Sequence, residues 1–453
     1  MSSGASPRRG GEAVSVAETP DQLVHLSGRT RLVMAGVSRV ARALGLWRRP
    51  RDTSGDLEQM TFLDKAHWMH KARHPVLLPQ RPQRPEAFHL AERAAEGLLP
   101  PGFEVRERLT LAAVGDLMPH PWLERSPALY DAVAPLLAGA ALRMANLESP
   151  CRPGGVASEP LDSAYVRAPV LALTPAEIER ALGPAGARFT HVSLANNHAL
   201  DEGVAGLEAA RSTLAALGVT PLGIHPDAGA DALPPPVVFA RGGLRVGLVT
   251  FTFGLNGRHA PPGRDGLVQV ARLNAAPEHA DLERVRQAVS RCREAGADLV
   301  VAYLHWGLEF ELFPSRRQQR VARALGELGC DVVLSHHPHV IQPIELFRPR
   351  RAPERTVPIC YSLGNLVVPL RAPIYALSLV VRITLARGVR EGRPETHVER
   401  VDPHPVYLTA DDERETLRLV PLADLRATEP DAYRDALAVV RRVLGPASAA
   451  RLG

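Results

Sequence analysis

Two histidines separated by a single residue, His337 and His339, carry the clearest chemical signal in the sequence. They belong to the stretch LSHHPHVIQP at residues 334–343, which follows a short run predicted as a strand. In an extended segment alternate side chains share a face, so both imidazoles would reach one metal ion or two adjacent ions. Pro338 between them restricts the backbone and stiffens this geometry. The same spacing also occurs on solvated strands and loops, so a metal site requires further ligands elsewhere in the chain.

Four further groups of polar residues directly follow strand-like runs and supply such ligands. Open α/β sheets bind their ligands beyond the carboxyl ends of the strands, so these groups are predicted to converge. Each alone is a weak signal, because an Asp after a strand often caps a helix and a buried Asn often satisfies backbone groups. Together with the histidine pair they form the mixed oxygen and nitrogen donor set of Mn, Fe or Zn sites. The groups are Gly115 with Asp116, Asn146 with Glu148, Asn196 with Asn197 and His198, and His305 with Trp306 and Gly307.

Such a donor set predicts a centre with two divalent ions. Two ions about 3.5–4 Å apart, bridged by a carboxylate and a water, generate hydroxide at neutral pH and stabilise both oxygens of a displacement. Asn197 would be a neutral ligand, which leaves the centre with a net positive charge for an anionic substrate. His198 follows it directly, and we predict that it approaches the site without binding metal and protonates the leaving group.

The elements that must position these residues alternate between strands and helices, which predicts an α/β architecture. Strand-like apolar runs occupy residues 109–114, 142–146, 189–195, 245–251, 298–304, 331–335, 357–362 and 376–385. Helical patterns occupy residues 175–182, 203–217, 278–295 and 315–328. A late strand at 399–408 and a terminal helix at 431–444 are predicted after them.

Composition places the chain among ordinary soluble globular proteins. Of its 453 residues, 45% are hydrophobic and 23% are charged, which excludes a largely disordered or membrane-spanning chain. The net charge of +5 comes from scattered Arg residues without interleaved aromatics, so nucleic acid is not an expected partner. The four cysteines are far apart and form no CxxC pair, and we predict isolated, mostly buried thiols.

Residues 1–105 are predicted to form an N-terminal extension. A flexible arm before residue 54 contains a basic segment at 29–49 with helical potential, and helices are predicted at 57–73 and 86–98. No apolar run approaches the roughly 20 residues of a membrane span, so we expect a cytoplasmic location. The basic segment is a candidate for peripheral contact with the inner face of the membrane. A partner-binding or merely solvated helix is the alternative interpretation.

The ordered motifs GDLM, ANLESP, LANNHALDEG, LHWGLEF, SHHPHVIQP and YSLGN closely resemble the CapA family of capsule-synthesis proteins. This family, also named for poly-gamma-glutamate biosynthesis, belongs to the calcineurin-like metallophosphatase superfamily. The motifs extend from about residue 109 to 368. The resemblance implies a four-layer α-β-β-α sandwich over residues 106–386, with a C-terminal strand and helix in residues 387–453 that complete or flank it.

The resemblance also implies roles for the polar residues. The first ion would be bound by Asp116 and His339, Glu148 would bridge, and the second ion would be bound by Asn197, His305 and His337. His198 would be the general acid. The substrate pocket would be shaped by Asn256, Glu309 and Asn365.

One position departs from the superfamily pattern. Met118 stands where better-known superfamily members carry a His, which leaves the first metal site one ligand short. His120 is an alternative donor, although a His between Pro119 and Pro121 is more typical of a structural role.

The function that these features predict is a metal-dependent hydrolase, acting on a phosphoester or a related anionic small molecule or polymer. Two alternatives stay open at this point. One is a factor that handles an anionic capsule polymer such as poly-gamma-glutamate without turnover, and the other is an amide hydrolase of that polymer. The fold alone does not separate them.

Overall fold

Two β-sheets that pack face to face form the centre of the computed structural model. The structure describes residues 16–24, 28–45, 60–89, 97–152, 170–229, 232–275 and 278–452. Helices cover the outer faces of both sheets, so the predicted four-layer α/β sandwich is confirmed.

The first sheet carries the strand that ends at Asp116. Within the described residues its order is β14-β13-β12-β1-β2-β3-β4, and β11 pairs with the end of β1. The run β1-β2-β3-β4 is parallel, whereas β12 to β14 are antiparallel. Its strands are β1 (Glu104–Leu117), β2 (Leu142–Leu147), β3 (His191–Ser193), β4 (Thr220–Leu222), β11 (Asn365–Val367), β12 (Leu377–Arg390), β13 (Arg393–Asp411) and β14 (Thr416–Pro421).

The second sheet carries the strands that end at the histidines. Its order is β5-β6-β7-β8-β10-β9, with a parallel centre and antiparallel edge strands β5 and β9. Its strands are β5 (Val237–Arg241), β6 (Leu244–Thr252), β7 (Leu299–His305), β8 (Val332–His336), β9 (Ile344–Phe347) and β10 (Val357–Cys360).

Alternation along β7 shows why the apolar runs form central strands. Val301 and Tyr303 face the first sheet and pack into the core between the two sheets. Val300 and Ala302 face the other way and pack into a second core under the outer helices. A parallel strand that is covered on both faces needs apolar residues at every position, and this pattern is what the sequence supplies. The hydroxyl of Tyr303 donates a hydrogen bond to the Val114 carbonyl, which links the two sheets.

Helices occupy the positions that the sequence predicts between the strands, and the chain ends in the predicted helix. The structure also places short helices that the sequence analysis did not predict. The helices are α1 (Gly28–Ala43), α2 (Phe62–Arg73), α3 (Ala134–Ala138), α4 (Pro175–Ala181), α5 (Gly203–Ala216), α6 (Leu282–Glu294), α7 (Arg316–Glu327), α8 (Pro373–Ala376), α9 (Leu425–Thr428), α10 (Pro430–Leu444) and α11 (Pro446–Ala450).

Parts of the N-terminal extension pack against the body of the protein. The prediction of a flexible arm is wrong for residues 17–24, because Ala17 forms a bridge to Leu370 and is buried. Helix α2 begins with a capping box in which Thr61 and Asp64 exchange hydrogen bonds. Of the helix predicted at 86–98, the structure has a short 3-10 helix at Pro85–Phe88, and residues 90–96 lie outside the described residues.

Helix α1 coincides with the basic segment of the extension, although residues 46–49 of that segment lie outside the described residues. Its buried side includes Met34 and Ala41, whereas Leu32, Val33 and Val40 are exposed. Among the described helices, none is both long enough and apolar enough to cross a membrane.

The C-terminal residues extend the first sheet. β12 crosses residue 386, where the sequence analysis divides the chain, and it pairs along its whole length with β13. β14 then adds the edge strand. All four cysteines are free and buried, as predicted.

Candidate metal centre

Polar residues from both sheets meet at the carboxyl ends of the parallel strands. Asp116 lies near the end of β1, Glu148 directly follows β2, and Asn197 lies in the loop after β3. His305 and His336 are the last residues of β7 and β8 in the other sheet. All of these side chains are buried. The polar groups that follow the strands in the sequence therefore converge at this edge, as expected for an open α/β sheet.

Asp116 is the most extensively hydrogen-bonded group of the cluster. Its Oδ1 accepts a hydrogen bond from Asn146 Nδ2 at 2.8 Å and lies 3.2 Å from His336 Nδ1. Its Oδ2 accepts from the backbone N–H of His337 at 3.1 Å and lies 3.5 Å from His339 Nδ1. Burial alone would raise the pKa of Asp116, but the hydrogen bonds of His336 and His339 and the charges of His336 and His305 hold it well below its ordinary value. Asp116 is therefore a carboxylate anion.

Glu148 is placed very differently, because its carboxylate is fully buried and lacks donors. Within the described residues neither oxygen has a hydrogen-bond partner, and Oε1 lies 3.5 Å from His305 Nε2 and 3.8 Å from His339 Nε2. Burial and the charge of Asp116 raise the pKa of Glu148 well above its ordinary value. A buried, unpaired carboxylate surrounded by imidazoles is what a divalent cation would satisfy.

His305 contacts two different neighbours through its two ring nitrogens. Nε2 lies 2.7 Å from Asn197 Oδ1, on the side of Glu148. Nδ1 lies 2.8 Å from Nδ1 of His336, so one of these two nitrogens carries a proton. Because His336 Nδ1 is also the nitrogen that faces Asp116 and donates to it, His305 Nδ1 is the acceptor of this pair.

His336 is a residue that the sequence analysis missed. It is fully buried, and its Nε2 has no hydrogen-bond partner in the described part of the chain. The only signal in the sequence is the tandem His336 and His337, from which the spacing argument selected the second.

His337 and His339 come together by a route other than the predicted one. β8 ends at His336, and the backbone φ angles of His337 and His339 are 102° and 58°. The extended conformation predicted for this segment is therefore wrong, because left-handed backbone replaces it directly after the strand. The ring centroids are nevertheless 5.7 Å apart. Non-glycine residues in this region are strained and occur at functional sites.

The candidate ligand atoms fall into two groups, and within each group all of the atoms lie within 4.8 Å of one another. One group is Asp116, His305 and His336, and the other is Glu148, His337 and His339. Burial, together with the charge of neighbouring histidines, lowers the pKa of both His305 and His337 well below the ordinary value, so both are neutral imidazoles. Neutral imidazole is the form that binds metal. The residues therefore fit divalent ions, while the division of ligands between two ions stays a prediction.

His198 lies next to this cluster and is held by a carboxylate. Its Nδ1 is 2.7 Å from Asp201 Oδ2, and Arg258 Nε donates to the other oxygen of Asp201 at 3.2 Å. The opposite ring nitrogen, Nε2, lies 3.5 Å from the side-chain amide of Asn256. The side chain of His198 is 10% exposed. This arrangement fixes the ring and leaves one nitrogen for proton transfer.

The other two residues predicted to shape the pocket lie on either side of His339. Oε1 of Glu309 is 4.0 Å from His339 Nε2. Asn365 is fully buried, and its Oδ1 lies 2.9 Å from His339 Nδ1 while its amide donates to the His339 carbonyl. These contacts indicate that Asn365 positions the His339 ring, and its contact with a substrate stays a prediction.

Asn365 reaches the centre because β11 lies directly against β1. It pairs in parallel register with Asp116, and the backbone N–H of Asp116 donates to the Gly364 carbonyl at 3.1 Å. A Cβ atom at Gly115 would overlap that same carbonyl oxygen. Glycine is therefore required at 115 for this close approach.

His120, the alternative donor, lies outside both ligand groups. Its Nδ1 accepts a hydrogen bond from the backbone N–H of Trp122 at 3.1 Å, and the two rings pack edge to face. Burial and the charge of Arg371 lower the pKa of His120 to about 4. These contacts indicate a structural role.

Comparison with known families identifies the lineage of this site. The family model of the bacterial capsule synthesis protein PGA_cap matches residues 110–369, which is more than half of the chain. The chain belongs to the PGA_cap family. The match includes every residue predicted to bind metal, together with His198 and Asn365.

Two relatives of this PGA_cap protein carry names that refer to capsule polymers. The chain is 31% identical over 186 residues to the PGA biosynthesis protein CapA of Bacillus subtilis, covering 40% of this chain and 42% of the relative. It is 27% identical over 332 residues to the capsule biosynthesis protein CapA of Bacillus anthracis, covering 69% of this chain and 75% of the relative. The first match thus spans less than half of the relative's length.

Among solved structures, the NAD nucleotidase of Haemophilus influenzae is similar with a TM-score of 0.42 and 12% sequence identity. The superposition covers 76% of this PGA_cap protein and 59% of the nucleotidase. A TM-score of this size assigns no function.

Proposed function

We propose that this PGA_cap protein is a metal-dependent hydrolase that cleaves a phosphoester or a related anionic bond at a centre of two divalent ions, with Mn, Fe or Zn as candidates. The observation that supports it is the buried Glu148 carboxylate, which lacks any donor in the described residues yet is surrounded by potential ligand atoms. Around it are Asp116, Asn197, His305, His337 and His339.

In this proposal one set of residues binds the metal ions, and His198 transfers a proton. Bound divalent ions would supply Lewis acidity and a water activated at neutral pH. Asp116 and Glu148 offset only half of the charge of two divalent ions, and the histidine and Asn197 ligands are neutral. The surplus positive charge attracts and orients an anionic substrate.

His198 is the proposed general acid. Asp201 accepts the Nδ1–H of His198, which fixes the ring and leaves Nε2 as the nitrogen that delivers a proton. Arg258 pairs with the far oxygen of Asp201 and so holds that carboxylate in its orientation toward His198. A proton given by Nε2 to the leaving oxygen would be recovered from solvent, because the ring is partly exposed.

The test combines metal analysis with hydrolysis of a generic phosphodiester and a phosphomonoester in the presence of Mn²⁺. Two ions per chain with turnover are expected, and His337→Ala should lose both metal and turnover. His198→Ala should keep its metal while turnover falls about 10²–10⁴-fold, the contribution of a positioned acid. Arg323→Ala, a change at the exposed Arg323–Glu345 pair, is the matched surface control. Absence of bound metal in the wild-type protein would disprove the proposal.

A second candidate function is supported by the names of the relatives, which refer to biosynthesis of PGA and of capsule. In this version the metal site positions an anionic polymer such as poly-gamma-glutamate without cleaving it, or cleaves its amide bonds. Binding of the polymer that is unchanged in His198→Ala, with no product formed, would favour handling without turnover. Shortening of the polymer chain that depends on His198 would favour amide hydrolysis.

A further inference from the structure

The surroundings of His339 Nε2 contain a carboxylate that has not been assigned to the metal centre. His339 directs its Nδ1 toward Asn365, so Nε2 is the nitrogen that remains for a metal ion. Glu148 Oε1 lies 3.8 Å from it and Glu309 Oε1 lies 4.0 Å from it. Ligands bound to one ion at about 2.0–2.2 Å are no more than about 4.4 Å apart. Both separations therefore suit ligands that share one ion.

The separation of Glu309 from His339 also excludes the simpler explanation of a direct hydrogen bond. At 4.0 Å the two atoms are beyond hydrogen-bond distance, so His339 does not satisfy this oxygen of Glu309. The side chain of Glu309 is nevertheless only 15% exposed. A partly buried carboxylate oxygen pointing at an imidazole from this distance leaves room for a cation between them.

Met118, at the position where better-known superfamily members carry a His, supplies no comparable donor. Met118, two residues after Asp116, is 7% exposed and belongs to the hydrophobic core. A thioether is a soft ligand and a poor match for ions that prefer carboxylate and imidazole donors. The ion at His339 therefore needs another ligand, and Glu309 is the nearby carboxylate.

Glu309 is held in place by the N-terminal extension. The indole N–H of Trp68, on α2, donates a hydrogen bond to Glu309 Oε2, which leaves Oε1 directed at His339. The Trp68 ring also packs against Phe310 with centroids 5.4 Å apart. Residues that orient a metal ligand in this way typically change metal affinity 10- to 100-fold when they are mutated.

Helix α2 is itself anchored firmly enough to act as such a support. Lys71 Nζ is 2.9 Å from Glu311 Oε1, and both side chains are buried. The hydroxyl of Tyr375 donates to the Ala72 carbonyl at 2.7 Å. After the helix, the backbone of Val76 bonds to the two residues that flank Glu311: its N–H donates to the Phe310 carbonyl, and its carbonyl accepts from the Leu312 N–H. α2 and the loop that carries Glu309 thus form one packed unit.

We propose that Glu309 is a ligand of the metal ion that His339 binds, and that Trp68 of the N-terminal extension positions it. Trp68 lies outside the region that matches the PGA_cap family model, so the extension would complete a site whose other ligands lie within the match. This proposal rests on the metal centre of the proposed function, but it does not depend on which bond is cleaved.

The test is a Mn²⁺ titration of the full chain by calorimetry, with bound ions counted by elemental analysis and their spin coupling followed by EPR. Glu309→Gln, which keeps the shape and removes the charge, should lose one ion or weaken its binding at least 10-fold. Trp68→Phe keeps the aromatic packing and removes the donor, and a 10- to 100-fold weaker affinity is expected. Trp122→Phe, which changes a Trp that stacks on Arg371, should leave metal binding unchanged.

The double variant Trp68→Phe/Glu309→Gln separates positioning from a general structural effect. If Trp68 acts through Glu309, the double variant binds metal no more weakly than Glu309→Gln alone. Equal losses in both backgrounds would overturn the positioning role, and two ions bound to Glu309→Gln with wild-type affinity would overturn the ligand assignment.

The same measurements distinguish failure of this proposal from failure of the proposed function. Two ions in the wild type and one in Glu309→Gln, without hydrolysis of any phosphoester, would support the ligand while refuting the phosphoesterase. A wild type that binds a single ion would refute the dinuclear centre, whereas retention of that ion with wild-type affinity in Glu309→Gln would refute the ligand assignment. Thermal unfolding in EDTA should give similar midpoints for all variants, since the expected losses concern metal and not folding.

Discussion

Replacing Glu148 by Gln should have opposite effects on the metal-free and the metal-loaded protein. The Glu148 carboxylate is fully buried beside Asp116, and it has no hydrogen-bond donor in the described residues. Without metal, this arrangement destabilises the fold at neutral pH, because the buried group must either carry an unsatisfied charge or take up a proton that it releases on unfolding. Gln has the same shape without the charge, and its amide can donate to Asp116. The metal-free Glu148→Gln protein should therefore be more stable than the wild type, although it has lost a metal ligand.

The expected magnitude follows from the burial of the group. Leaving a buried polar group unsatisfied costs about 1–3 kcal/mol, and more for a charge. For a chain of 453 residues, the unfolding entropy converts each kcal/mol into about 1 °C of Tm, so the metal-free variant should gain at least about 1–3 °C. Metal at 100 times its Kd stabilises the wild type by about 2.7 kcal/mol per ion. A variant with 100-fold weaker affinity would gain only about 0.4 kcal/mol per ion under the same conditions.

The pH dependence of this stability difference provides a second test. Burial, followed by the charge of Asp116, raises the pKa of Glu148 above its ordinary value of 4.5. A group whose pKa is raised in the folded state contributes stability below its unfolded pKa, and this stability is lost as the pH rises through the folded pKa. The advantage of Glu148→Gln in the metal-free state should thus be absent near pH 4 and should grow toward neutral pH.

Differential scanning calorimetry of both proteins, in EDTA and in Mn²⁺, measures all of these quantities. Glu104→Gln, a change at the exposed Arg106–Glu104 pair, is the control for loss of a carboxylate. The reasoning would be refuted by a metal-free Glu148→Gln protein that is less stable than the wild type at pH 7. Equal stabilisation of the two proteins by Mn²⁺ would refute the assignment of Glu148 as a ligand.

Three further outcomes are expected. Gly115→Ala should destabilise the protein by several kcal/mol and abolish metal binding, because its methyl group would displace the Gly364 carbonyl; chemical denaturation and metal analysis test this. His120→Gln should leave metal content unchanged, and loss of an ion would make His120 a ligand after all. We propose that α1 contacts anionic membrane surfaces through its exposed apolar side chains, so Leu32→Ser/Val40→Ser should reduce sedimentation with anionic vesicles, whereas equal sedimentation of both proteins would contradict it.

Central strands and the helices between them were predictable from the sequence because their buried positions produce local patterns of apolar residues. The run at 142–146 became β2 (Leu142–Leu147), and the pattern at 175–182 became α4 with a capping box at Thr174. Short strands were missed for the opposite reason. β11 has three residues and exists because it pairs with β1, and half-buried β5 lies at a sheet edge. In both cases tertiary pairing, and not the local pattern, forms the strand.

The positions of the ligand residues were predictable for a similar reason. Polar residues at the carboxyl ends of buried parallel strands lie along one edge of the sheet. Asp116, Glu148 and His305 all lie at this edge. The argument from side-chain alternation failed after His336, where the backbone leaves the extended region and positive φ angles redirect His337 and His339. No pattern of residue types reveals such a change of backbone, so His336 was overlooked.

Glu309 and Trp68 show where sequence reasoning reaches its limit. The two residues are 241 positions apart, and their contact depends on how α2 packs against the loop after β7. Lys71 and Glu311 pair across the same boundary, so the attachment of the extension is itself built from buried charges. A buried ion pair is costly to leave half-made, which favours one docked position over alternatives that separate the charges. Because the same helix carries Trp68, the fixed docking of the extension and the orientation of Glu309 toward His339 are two results of one packing arrangement.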